Sequence, residues 1–135
     1  MFNIIRPLIF KFSPEVAHSL AIKALKLNNI SYSKPIDNHI LETTFCEKKL
    51  SSPIGVAAGF DKNAEVYNPL FNLGFGFVEV GTITPKPQFG NPKPRVFRLE
   101  EDEALINRLG FNNSCSEEIS KRIKENNRKG FLGIN

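Results

Sequence analysis

The first dozen residues carry Phe2, Ile4, Ile5, Leu8, Ile9, Phe10 and Phe12, interrupted by Arg6 and Lys11. That spacing predicts a short amphipathic helix over residues 2–11, in which Pro7 is tolerated only near a start or a kink. Ser13, Pro14 and Glu15 then read as an N-cap, a first-turn proline and a first-turn acid. Val16, Ala17, Leu20, Ala21, Ala24 and Leu25 recur at helical spacing to about Asn28, so a second helix follows and the two make a hairpin. Residues 31–52 are polar and mixed, with a short strand pair expected around 41–46 and 48–50.

From residue 53 the period shortens. Residues 54–58 form a small apolar run that predicts a buried strand, followed by a helix over 64–73 that Gly74 terminates. Residues 77–81 alternate and predict a second strand, which feeds a loop whose four prolines, Pro85, Pro87, Pro92 and Pro94, cannot be helix. Then come an apolar segment at 96–99, an acidic turn at 100–103, a loop at 107–113, a helix at 116–127 and a third strand at 131–134. Strands alternating with helices predict an α/β fold with parallel strands. The run G-F-G-F-V-E-V-G precedes a strand instead of opening a helix, so it is not a dinucleotide-binding fingerprint.

Candidate chemistry gathers at the strand ends. The stretch P-I-G-V-A-A-G-F-D-K-N, residues 53–63, closes a strand on Ala57, Ala58 and Gly59, where Val or Ile would fill a core better. Small residues there let a flat ligand approach the backbone, and Lys62 sets a cation three residues beyond Gly59. Gly81 and Thr82 close the second strand, and Asn107, Asn112 and Asn113 flank Gly110 and Phe111 in I-N-R-L-G-F-N-N. Singly, each has a plain alternative: small residues in strand turns, a solvated lysine, asparagines that form turns beside glycine.

In this order, G-V-A-A-G-F-D-K-N, E-V-G-T-I-T-P-K-P-Q-F-G-N-P-K-P-R-V-F-R and I-N-R-L-G-F-N-N, with the F-S-P-E-V-A-H helix before them, the chain resembles the quinone-linked (class 2) dihydroorotate dehydrogenases. Leu109 and Phe60 stand where Met and Leu are common in that family, and both remain apolar. The resemblance implies oxidation of dihydroorotate to orotate with FMN in pyrimidine biosynthesis, electrons passing on to ubiquinone. It implies FMN contacts at Ala58, Gly59, Phe60, Asp61, Lys62, Thr82 and Asn135, and a substrate loop of Asn107, Arg108, Leu109, Gly110 and Phe111 with Lys62 beside it. His18 and Arg98 match positions that face the quinone tunnel, and the first two helices match the membrane-docking extension. Asn135 is the last residue, where fraying is expected. The family's base is a serine that matches no position here; Ser114 and Ser116 follow the substrate loop directly and open a helix, so no catalytic residue is assigned. Family members are often monomeric.

Length and charge refine this expectation. At 135 residues the chain is too short for a complete (β/α)8 barrel of about 250 residues, so residues 35–135 are expected to be the N-terminal portion of an FMN-binding TIM barrel and residues 1–34 its helical extension. Residues 31–52 then serve as linker and lid over the barrel base. The alternative is a truncated, inactive fragment that retains membrane association alone. Residues 1–34 hold five bases against one acid, while residues 35–135 hold thirteen of each, so the formal charge of +4 lies wholly in the apolar N-terminal segment. That combination suits an anionic membrane surface; the bases form no stripe for nucleic acid. No apolar run of about 20 residues is present, and the N-terminus has the character of neither a signal peptide nor an Arg-rich leader. A peripheral protein on the cytoplasmic face of a bacterial membrane is expected. Cys46 and Cys115 are isolated, with no histidine at metal spacing, and are expected to be free thiols.

Overall fold

A computed structural model describes residues 2–27 and 39–135, with side chains from Ile4 onward. Helix α1 spans Phe2–Ile9 with Pro7 inside it, and α2 spans Pro14–Leu27. Pro14 opens α2, and the Ala17 amide donates to the Ser13 carbonyl at 3.0 Å, so the helix starts where the Ser-Pro-Glu signal put it. The hairpin expected around 41–50 is present as β1 (Thr43–Phe45) and β2 (Lys48–Leu50). Cys46 and Glu47 form its two-residue tip, both at positive φ. Its Phe45 ring meets Phe131 edge-on at 5.6 Å, which lays the hairpin at the start of the last strand. Residues 28–38, which hold the expected end of the second helix at Asn28 and the first part of the expected linker, 31–38, lie outside the described residues.

The central sheet is parallel, ordered β3 (Gly55–Val56), β4 (Phe77–Val80), β7 (Phe131–Ile134). Along β4, Val78 and Val80 point inward and are fully buried, while Phe77 and Glu79 take the other face. Against the two valines pack Ala64, Val66, Tyr67 and Leu70 from the β3–β4 connection and Ile119 of α4 (Ser116–Glu125). Two β-strands joined by helical crossovers bury one apolar face this way. The sheet is α/β as expected, and among the described residues it does not close into a barrel.

Besides shifts of one or two residues at element ends, four departures from the sequence reading each have a local reason. The ladder of β3 is shorter than 54–58, although the Ile54 carbonyl still accepts from Gly76 and the Gly59 amide still donates to Gly81, both at 2.9 Å. Helix α3 covers only Tyr67–Asn72, because the chain reaches it through Ala64 at φ 53° and its approach is held by the Asp61 side chain. Helix α4 stops at Glu125, where Asn126 turns to extended backbone. Ala104–Asn107 is a strand, β6, paired antiparallel with β5 (Val96–Leu99) across the acidic turn. All four residues of β6 are exposed, so no alternation of polarity announces it.

Candidate functional site

The carboxyl ends of the three parallel strands meet at one edge of the sheet. Ala58 and Gly59 leave β3, Gly81 and Thr82 leave β4, and Asn135 leaves β7. Asn135 is not frayed: its amide donates to Val80 at 3.0 Å, its carbonyl accepts from Ile83 at 2.8 Å, and its side chain meets Thr82 Oγ1 at 2.5 Å and Glu79 Oε1 at 2.9 Å. Gly81 sits at φ 117°, and a Cβ there would lie 2.6 Å from the Asn135 carbonyl oxygen, so only glycine permits this approach.

The loop after β3 carries the cation. Gly59, at φ 110°, presents open space: a Cβ built there would meet only Lys62 Nζ, at 3.9 Å. Lys62 Nζ donates to the Gly59 carbonyl, which folds the amine back over the strand end. Burial holds that amine below its usual value of 10.5, the Arg95 cation pushes it further down, and the Glu15 carboxylate partly opposes both. Asp61 turns the other way. Its carboxylate accepts from the Glu65 amide at 2.7 Å and the Val66 amide at 2.8 Å, and it is 1 % exposed. Burial raises its pKa above 3.8 against the lowering pull of those amides.

Opposite this loop lie residues 107–113. Asn113 braces them: Oδ1 accepts from the Thr84 and Cys115 amides at 3.2 and 3.1 Å, and Nδ2 donates to the Phe111 carbonyl at 2.8 Å. Asn63 adds a second brace, its Oδ1 accepting from the Ser114 amide at 3.0 Å.

Between the two loops is a cavity of about 510 Å³ bordered by Ala58, Gly59, Lys62, Gly81, Thr82, Asn107, Arg108, Leu109, Gly110 and Phe111. Of the residues expected to hold cofactor and substrate, it lacks Phe60, Asp61 and Asn135. Phe60 instead packs edge-on against the His18 ring at 5.3 Å, and Asp61 is turned into the fold. A neighbouring cavity of about 420 Å³ is bordered by His18 and Arg98 and shares Gly59, Lys62, Asn107 and Leu109 with the first. His18 Nε2 bonds the Phe60 carbonyl at 2.6 Å, which makes Nε2 the protonated nitrogen. Arg98 donates to the Phe12 carbonyl at 2.8 Å and stacks over the Phe10 ring at 4.4 Å. His18 therefore ties α2 to the loop after β3, and Arg98 ties β5 to the turn between α1 and α2.

Sequence reasoning left Asn112 without a role. It borders both cavities, and its Oδ1 is buried with no hydrogen-bond partner among the described residues. An orphaned acceptor at the wall of a cavity is satisfied by a ligand or a water. The signal available was its position directly after Gly-Phe. The open face over Gly59, the small residues beside it and this orphaned amide oxygen fit a flat, hydrogen-bonding ring of the flavin kind.

Comparison with known proteins yields one family. The family model for dihydroorotate dehydrogenase matches residues 40–135. The chain is 51% identical over 129 residues to the dihydroorotate dehydrogenase (quinone) of Rhodospirillum rubrum, covering 96% of this chain and 35% of that protein. It is 49% identical over 136 residues to the protein of that name from Erythrobacter litoralis, covering 100% of this chain and 39% of the relative. Among solved structures, it is similar to DHODH from Eimeria tenella crystallised in complex with ferulenol, with 42% identity, a TM-score of 0.81, and coverage of 90% of this chain and 35% of that one. The ligand-free form of the same protein gives a TM-score of 0.80. The chain thus spans little more than a third of the length of the relatives it matches.

Proposed function

Because the chain belongs to the dihydroorotate dehydrogenase family, we propose that it supplies one wall of a quinone-linked dihydroorotate dehydrogenase site. The observation that carries this is the shared border of the two cavities. Residues expected to meet flavin and pyrimidine surround one, residues expected to meet quinone line the other, and Lys62 and Asn107 belong to both.

In this reading Ala58, Gly59, Lys62 and Thr82 hold FMN, with Asn135 buttressing Thr82 through its side chain. Phe60 and Asp61 contribute through the backbone of the loop. FMN would supply the hydride acceptor. Lys62, held over Gly59 in a partly desolvated setting, offers positive charge to an electron-rich ring and to the substrate carboxylate. Asn107 both donates to and accepts from a pyrimidine edge, and the backbone N–H groups of Gly110 and Phe111 receive the carboxylate, with Arg108 and Leu109 shaping the loop. A wall that helps to hold the rings in contact and to keep water from them would contribute to rate. No residue of this chain is assigned the role of base.

At the second cavity the Arg98 guanidinium donates to a quinone carbonyl, while His18, whose Nε2 proton is engaged by the Phe60 carbonyl, borders the same cavity. The apolar N-terminal helices, with Ile4, Leu8, Phe12, Val16 and Leu20 exposed, dock on a membrane as a peripheral element. Among the described residues, no helix is long and apolar enough to cross a membrane.

Stopped-flow separation of the two half-reactions tests the assignment in a full-length protein carrying this segment. Lys62→Ala and Asn107→Ala should each slow flavin reduction by dihydroorotate, whereas Arg98→Ala should slow reoxidation by quinone. Equal effects of all three on both halves would refute it.

A further inference from the structure

Arg95 is 6 % exposed, yet the functional reading gives it nothing to do. Its guanidinium reaches three separate parts of the chain. Nε and Nη2 both donate to Glu15 Oε1 on α2, at 3.0 and 2.8 Å. Nη1 donates to the carbonyls of Phe89 and Asn91 in the prolyl loop, at 2.7 and 3.0 Å, and to the Leu109 carbonyl in the substrate loop at 3.5 Å. The backbone closes the same knot: the Asn91 amide donates to the Leu109 carbonyl at 3.0 Å and the Arg108 amide to the Arg95 carbonyl at 2.9 Å. Gly90 leaves room for it, since a Cβ there would lie 2.6 Å from Arg95 Nη1.

A surface ion pair of ordinary kind would constrain nothing. This one differs because one planar fork, itself buried, is shared between a partly exposed carboxylate on a helix and carbonyls on two loops. A lysine offers a point charge and cannot serve both sides at once. Lys93 also faces Glu15, at 4.0 Å, but from an exposed position, so it does not substitute.

We propose that Arg95 is a positioning residue that locks helix α2 to the loop bearing Asn107, Leu109 and Phe111, so that the seating of the N-terminal helices and the shape of the ring-binding wall are set together. This rests on the preceding section only in calling that wall a ring-binding one. The coupling itself is between the helix and the loop. It gives the His18 and Arg98 cavity and the Lys62 and Asn107 cavity a common support.

Backbone amide hydrogen exchange on the whole chain, without ligand, tests it. Glu15→Ala should speed exchange at the Asn91 and Arg108 amides by roughly tenfold, although the substitution lies some eighty residues away in sequence, while Val78 and Val80 at the sheet centre keep their rates. Arg95→Lys should give the same acceleration, because charge without the fork does not close the knot. Glu65→Ala, which breaks a different polar tie of α2, through Lys26, should leave Asn91 and Arg108 unchanged. The proposal is overturned by wild-type rates at those two amides in Glu15→Ala, by full rescue with lysine, by equal acceleration in Glu65→Ala, or by equal acceleration at Val78 and Val80. Since no substrate is present, failure here is separate from failure of the functional reading, which the two half-reactions judge.

Discussion

Replacing Asp61 gives the sharpest test of how the loop under Lys62 is held. The carboxylate accepts two amides, from Glu65 and Val66, each within 2.8 Å, in a setting where Ala64, Val66 and Tyr67 are all buried. Asp61→Ala strips both acceptors and leaves two N–H groups unpaired, that of Val66 buried and that of Glu65 half-buried, at about 1–3 kcal/mol each. Relief from burying a carboxylate offsets part of that, because its raised pKa records a desolvation cost larger than the gain from the amides. A net loss of about 2–4 kcal/mol follows. For a chain of this size that corresponds to a fall in Tm of roughly 8–15 °C, measured by far-UV circular dichroism with detergent held constant.

The pH dependence separates this account from a simple steric one. A carboxyl whose folded pKa lies above its unfolded value of 3.8 stabilises the fold most below 3.8 and loses that contribution as pH rises through the folded value. Asn cannot titrate, and it turns one NH2 toward an amide that needs an acceptor. The deficit of Asp61→Asn relative to the unaltered chain should therefore grow as the buffer is taken from pH 7 toward 4. A Tm drop under about 2 °C in Asp61→Ala, or a deficit in Asp61→Asn that shrinks on acidification, would refute the reasoning.

Other outcomes follow from the same geometry. Deleting residues 1–34 should abolish salt-sensitive sedimentation with anionic vesicles, since the basic excess and the exposed apolar side chains coincide there; unchanged sedimentation of the shortened chain would contradict it. Gly81→Ala puts a Cβ 2.6 Å from the Asn135 carbonyl at φ 117°, and should cost about 2 kcal/mol or more in urea unfolding while shifting the Asn135 side-chain amide resonances. In a full-length protein carrying this segment, affinity for orotate should fall on the alkaline side below pH 10.5 as Lys62 loses its proton, and Glu15→Gln, which removes the carboxylate that supports that charge, should move the fall to lower pH. The 135-residue chain alone should quench little FMN fluorescence, because its cavity is walled on one side; a soluble yellow monomer would overturn that.

How much of this could be read beforehand depended on whether a residue acts locally. Phe131–Ile134 is the strand the sequence predicts, since a short apolar run after glycine needs no distant partner to be recognised. The convergence of Ala58, Gly59, Thr82 and residues 107–111 on one cavity was legible through family motifs, because small strand ends and an amide loop are unusual in composition. What stayed hidden is long-range or inward. β6 is exposed throughout and takes its identity from pairing with β5. The β1–β2 tip is made by Cys46 and Glu47 at positive φ, where sequence would suggest glycine or asparagine. Asp61, set between phenylalanine and lysine in a polar loop, looks like a ligand group, yet its carboxylate is spent on amides four and five residues ahead. Arg95 looks like one more base after a proline, and only the fold brings Glu15 to it.

These hidden contacts share a logic. On the proposed function Lys62 keeps a cation where burial disfavours one, and the loop that carries it is restrained by residues outside the cavity of about 510 Å³. Asp61 supplies this from below by capping the turn toward α3, and His18 from the side by bonding the Phe60 carbonyl. Arg95 and Glu15 then set opposing charges near the amine while joining the facing loop to α2. Because the two cavities share Gly59, Lys62, Asn107 and Leu109, a substitution that relaxes any of these supports should move both walls at once. On the proposed function, half-reaction kinetics in a full-length protein carrying this segment should distinguish the two kinds of residue: substitutions at those that contact one ring should alter one half, and at those that only support the common wall, both.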